Sequence, residues 1–123
     1  MTYYTKDHEW LRLEGEIAVV GVTKAAAEAL GDLVFIEVKK PGTMLKRGEE
    51  AAVVESVKAA SDVYAPVAGE IVEVNTRLDA EPAAVTADPE GEGWFFKLRV
   101  ADPAELDLLL DEAGYLAAAK EGQ

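Results

Sequence analysis

The sequence predicts a mainly β fold: a β sandwich or flattened, partly closed barrel with short helices covering its edges. Three observations carry this expectation. Short runs rich in Val, Ile, Leu and Phe recur between residues 9 and 100. Their corners are marked by Gly15, Pro41-Gly42, Gly48 and Gly69. Helical character marks 24–30 and the stretch after Pro103. At 123 residues the chain is expected to form one domain, 1–123, with a core over about 16–100 and a C-terminal helical appendage over about 103–120.

Glu9–Glu14 and Glu16–Val22 are expected to be strands turning around Gly15. In the second, Ile17 and Val19 share one face and Ala18, Val20 and Val22 the other. Both faces are apolar, so period alone does not say which meets the core. Thr23 is placed to cap a short N-terminal helix, Lys24–Leu30, which Gly31 ends. Strand character returns over Asp32–Lys39 and Ala51–Val57. It continues over Val63–Val74, where Pro66 argues against a central strand and Gly69 permits a bend before Glu70–Val74. Asp88–Gly93 reads as a loop and Trp94–Val100 as a last strand. Pro103 is suited to a helix start, with Glu105 and Asp107 near its positive end, and Gly114 is expected to interrupt that helix before Tyr115–Ala119.

Composition excludes several classes of function. There is no cysteine, hence no disulfide, thiolate metal site or cysteine nucleophile, and His8 is the only histidine. Any redox chemistry must arrive on an attached group. Twelve basic and 24 acidic residues give a formal charge of −12, which opposes nucleic-acid binding. No apolar run approaches the roughly 20 residues needed to span a bilayer. The N-terminal residues lack the pattern of a signal peptide, so a cytoplasmic protein is the simplest expectation, and a mature mitochondrial matrix protein would read the same.

Lys58 is the residue around which the chemistry gathers. It lies within V-E-S-V-K-A-A-S-D-V-Y-A-P, residues 54–66, between two strand-like runs, with small residues directly after it. That layout predicts a hairpin holding one amine in water. A protonated surface amine is a poor nucleophile, so covalent loading would need an enzyme that activates the incoming acid. The carrier need only present the amine repeatably, which a hairpin does better than a flexible tail. Glu55 and Asp62 are placed to guide such an enzyme. From the residues alone, attachment and an ordinary solvated turn lysine both stand open.

Further stretches narrow the reading. H-E-W at His8–Trp10, G-V-T at Gly21–Thr23 and A-L-G-D at Ala29–Asp32 precede the lysine motif. Y-A-P-V-A-G-E at Tyr64–Glu70, V-E-V-N at Val72–Asn75, D-P at Asp88–Pro89, G-E-G-W at Gly91–Trp94 and E-L-D-L-L at Glu105–Leu109 follow it. In this order, over nearly the whole chain, they resemble the glycine cleavage system H proteins, which are lipoyl carriers. The resemblance implies a lipoyl/biotinyl-type barrel-sandwich, with lipoate joined to Lys58 as lipoyllysine by a lipoate ligase or lipoyl transferase. It implies a monomeric carrier, not an enzyme, with no metal and no membrane or nucleic-acid partner.

The partners it implies act in turn. A pyridoxal-phosphate glycine decarboxylase loads an aminomethyl group and releases carbon dioxide. A tetrahydrofolate-dependent aminomethyltransferase removes the one-carbon unit and releases ammonia, and dihydrolipoamide dehydrogenase reoxidises the dithiol. The resemblance also implies that the loaded arm folds into a cleft where Glu9 faces its ammonium group, with Asp7, Ala29 and Asp62 nearby.

Rival readings remain. A biotinyl carrier would typically flank its lysine with methionines, whereas Val57 and Ala59 stand here, and 2-oxoacid dehydrogenase lipoyl domains commonly place aspartate before the lysine. A rival of another class is a redesigned scaffold without carrier activity. Lys24-Ala25-Ala26-Ala27, Thr86 and Glu90 depart from the family's usual residues and keep that reading open. His8 is expected to seat the first strand, Trp10 and Trp94 to pack, and Asp88, Glu90 and Glu92 to form a solvated acidic loop that does not match a calcium-loop pattern.

Overall fold

A computed structural model describes residues 2–121. Two antiparallel sheets face each other. The larger is ordered β1 (Thr2–Tyr4), β2 (Glu9–Glu14), β3 (Ile17–Val22), β9 (Phe96–Val100), β8 (Gly69–Val74) and β5 (Met44–Leu45). The smaller is ordered β4 (Leu33–Val38), β6 (Glu50–Ser56) and β7 (Ala60–Tyr64). Short helices α1 (Lys24–Leu30), α2 (Arg77–Ala80) and α3 (Ala83–Ala87) cover one side. A 3-10 helix, Pro103–Leu108, and α4 (Glu112–Glu121) close the chain. This is the barrel-sandwich the sequence predicts, with β1 and β2, which precede residue 16, forming one edge of the larger sheet.

Both faces of β3 are buried, which answers the question its periodicity left open. Ala18, Val20 and Val22 join Leu11, Ile36, Val54, Ile71, Phe96 and Leu98 between the sheets. Val19 on the opposite face joins Trp10, Tyr4 and Tyr115 under α4. Gly21 is required by this packing, since a Cβ there would lie 2.8–2.9 Å from three atoms of the Trp10 ring. The ring cannot easily retreat, because its Nε1–H donates to Pro89 O at 2.9 Å.

The α1 boundaries agree with expectation. Thr23 Oγ1 accepts from Ala26 N at 3.3 Å. Gly31 ends the helix at φ 76°, ψ −141°, a conformation L-residues rarely adopt, with its N–H on Ala27 O at 3.2 Å. The 63–74 stretch is two strands in different sheets. Its break at Ala65–Ala68 is satisfied by Ala65 N–H to Glu49 O at 2.8 Å and Ala68 N–H to Glu105 Oε1 at 2.6 Å.

Three sequence expectations need correction. The last strand starts at Phe96, because Trp94 O is held by Asn75 Nδ2 at 2.8 Å instead of by a neighbouring strand. The C-terminal break falls at Leu109–Asp111, and Gly114 lies inside α4. Leu110 exchanges backbone hydrogen bonds with Tyr4 at 2.7 and 2.8 Å, and Asp111 Oδ1 accepts from Gly114 N at 2.7 Å, so a tertiary strand contact and a side-chain cap set the boundary. The segment before the break is 3-10. Strands β1 and β5 and helices α2 and α3 carry too few residues to leave a periodic signal.

Candidate functional site

Strands β6 and β7 place Lys58 at the tip of a tight turn. The ladder ends at Glu55↔Ala60, and Ser56 N–H donates to Ala59 O at 2.7 Å. The buried Ser56 hydroxyl braces the turn from within: it accepts from Ala59 N at 3.1 Å and Lys58 N at 3.4 Å. A second anchor comes from outside the hairpin, Val57 N–H donating to Asp32 O at 3.1 Å. Val57, Lys58, Ala59 and Ala60 are exposed. Among the described residues Lys58 joins no ion pair. Its aliphatic end lies over the C-terminus of α1, Cε being 3.6 Å from where a Cβ on Gly31 would stand.

Beside that helix end opens a cleft of about 190 Å³. Asp7, Glu9, Ala29 and Asp62 all line it, so the structure brings together four residues separated by up to 55 positions in the chain. Its apolar wall is Val22, Ala26, Leu30, Val54 and Val63. Glu55 does not reach it. It sits on the outer face of the smaller sheet, opposite Phe35 and Ala60.

Glu9 is 2% exposed, the one buried carboxylate among the described residues. Its Oε2 accepts from Tyr64 N at 2.7 Å and its Oε1 from the Thr5 hydroxyl at 3.1 Å. Burial pushes its pKa up to about 7, the negative charge of Asp7 adds to the rise, and the two hydrogen bonds oppose it. Glu9 also borders a second cleft of about 340 Å³, toward Arg47, Pro66 and Leu109.

The segment that carries Asp7 and Glu9 is anchored by residues whose part the sequence did not disclose. His8 adopts φ 64°, and its Nδ1 lies 2.7 Å from the Tyr115 hydroxyl. That hydroxyl is also 2.9 Å from Thr23 Oγ1, so α4 ties the turn to the N-cap of α1. His8 therefore seats the start of β2, as expected, but through a partner 107 residues away. The lone aromatic of the C-terminal helix was the only available signal. The Tyr64 N–H is backbone and leaves no mark in sequence. Trp10 is buried packing, and Trp94 is half-buried beneath Lys97, whose Nζ is 5.0 Å from its ring. Asp88, Glu90 and Glu92 are exposed, and the described residues contain no cluster of metal-ligating side chains.

A barrel-sandwich of this kind, with one lysine held at a hairpin tip, is the architecture of a covalent-cofactor carrier. Comparison with known proteins makes the class specific. Residues 2–122 match the family described as Glycine cleavage H-protein. A glycine cleavage system H protein from Bradyrhizobium diazoefficiens is 60% identical over 116 residues, covering 94% of this chain and 95% of its own. One from Phenylobacterium zucineum is 61% identical over 112 residues, covering 91% and 93%. The crystal structure of a glycine cleavage system H protein from Mycobacterium marinum superposes with a TM-score of 0.84 at 38% identity, covering 99% of this chain and 97% of that one. The chain belongs to the glycine cleavage H-protein family, the lipoyl-bearing carriers of the glycine cleavage system.

Proposed function

We propose that Lys58 carries lipoate in amide linkage. The chain then shuttles an aminomethyl group from pyridoxal-phosphate glycine decarboxylase to the tetrahydrofolate-dependent aminomethyltransferase, and dihydrolipoamide dehydrogenase reoxidises the arm. The observation that carries this reading is an exposed lysine, in no ion pair among the described residues, on a doubly anchored turn beside a cleft with apolar walls and one buried carboxylate. The attached group would supply the sulfur chemistry that a chain without cysteine lacks.

The chain's own residues have three tasks in this reading. Ser56 and the Val57–Asp32 bond fix the direction of the amine, limiting the orientation cost of each encounter. Val22, Ala26, Leu30, Val54 and Val63 offer the apolar part of a folded-back arm a dry surface. Glu9, and beside it Asp7, meets a cationic end. An arriving ammonium favours the ionised form of Glu9, and the charge-assisted hydrogen bond then holds the arm away from water. Asp62 and Ala29 border the same space.

Incubation with lipoate ligase, ATP and lipoate should add one lipoyl mass increment, mapped to Lys58 and absent from Lys58→Arg. Biotin ligase in parallel should add nothing. A chain left unmodified while a control carrier is loaded would overturn the assignment. Glycine-dependent loading by the decarboxylase then tests the place in the pathway.

A further inference from the structure

Strand β4 breaks the alternation expected of a half-solvated strand. Its pairing with β6 runs Leu33↔Ser56 and then Phe35↔Glu55, so Val34 is the extra residue of a β-bulge. The bulge turns two consecutive apolar side chains outward: Val34 is 56% and Phe35 47% exposed. Val57, 71% exposed, adjoins them, because its N–H is bonded to Asp32 O at the base of β4. Three large apolar side chains are thus gathered on one rigid surface directly beside Lys58. Contiguous exposed apolar side chains of this kind are a candidate binding surface.

We propose that Val34, Phe35 and Val57 form the docking patch for the enzyme that acylates Lys58, a deepening of the reading that Lys58 carries lipoate. Two arguments select this occupant. Before modification the amine projects only one side chain's length from the turn, so an enzyme acting on it must cover the adjoining surface. Enzymes that act on a completed arm can stand further off. Charge selects as well: Asp32, Glu37 and Glu55, all exposed, rim the patch, while Lys58 itself is the cation at the tip. The complementary partner has an apolar hollow edged by lysine and arginine, with a carbonyl-activating centre beyond it. A patch of three side chains suits a transient substrate encounter, not a permanent complex.

The test compares initial rates of lipoate attachment by lipoate ligase on the wild-type chain, the double variant Phe35→Ser/Val57→Ser, Phe35→Leu and the control Met44→Ser. Met44 is 64% exposed on β5 in the other sheet. Thermal melts show that each variant is folded, as outward-facing substitutions should be. The double variant should raise KM for the carrier at least about tenfold with kcat within about twofold, since lost docking weakens encounter and not chemistry. Phe35→Leu should retain most of the affinity, and Met44→Ser should match wild type. An unchanged KM in the folded double variant overturns the docking patch while leaving Lys58 as the attachment site. So does a fall in kcat alone, which would assign these side chains to turn geometry. A concentration-dependent dimer abolished by the double variant with KM unchanged would assign the patch to self-association instead. A wild-type chain that accepts no lipoate overturns the attachment reading and the patch with it.

Discussion

Replacing Glu9 by glutamine preserves shape and the acceptor for Tyr64 N–H but removes a buried titratable group. Burial raises the folded-state pKa from 4.5 to about 7, so the folded protein binds this proton more tightly than the unfolded chain. Stability from Glu9 is therefore fully present below pH 4.5 and lost as the pH rises through about 7. Each pKa step of one is worth about 1.4 kcal/mol, so between pH 5 and pH 8 the wild type should lose about 2.5 kcal/mol relative to Glu9→Gln. The lower limit stays above the range where protonation cancels the charge of −12 and the chain ceases to repel itself. Urea unfolding followed by Trp10 and Trp94 fluorescence measures the difference at each pH. The other carboxylates cancel in that difference because they are common to both proteins. A wild-type minus variant difference that is flat with pH would show that Glu9 is ionised throughout, and the argument that burial raises its pKa would be refuted. The loaded carrier gives the second readout: its hydrolysis should be faster in Glu9→Gln than in the wild type at the same pH, and equal rates would overturn the proposed clamp.

Three further outcomes follow from the packing. Tyr115→Phe keeps the stacking on Tyr4, 4.8 Å between ring centroids, but loses the hydroxyl shared by His8 and Thr23; it should cost about 1–2 kcal/mol, read as a lower urea midpoint at unchanged slope. Gly21→Ala forces a Cβ against the tethered Trp10 ring and should destabilise by about 1–3 kcal/mol, with a shift in Trp10 emission. Gly31→Ala has room beside Lys58, at 3.6 Å, but must adopt φ 76°. It should therefore lower stability by about 1–3 kcal/mol without slowing lipoate attachment to the folded fraction, a contrast that intact-mass kinetics would resolve.

Local signals were legible wherever a residue acts on its own segment. Thr23 and Gly31 bound α1 because a hydroxyl and a permissive backbone suffice at the two ends of any helix. The runs Ala51–Val57 and Val63–Val74, with small residues between them, announced the hairpin, although its second strand starts earlier, at Ala60. The lysine motif and the ordered family stretches could be read for the same reason.

Other features depend on distant partners and left no such mark. Leu110 pairs with Tyr4, and the C-terminal helix begins where that pairing releases the chain, not at the glycine that local propensity marks. The bulge at Val34 exists only in the register of β4 against β6. The buried carboxylate of Glu9 is satisfied by a backbone N–H 55 residues away, and the His8 turn by a hydroxyl 107 residues away. A pKa and a cleft are properties of what surrounds a group once water has been excluded. Residue types along the chain specify the groups available; the closing of two sheets over them sets which are desolvated, and hence what they can hold.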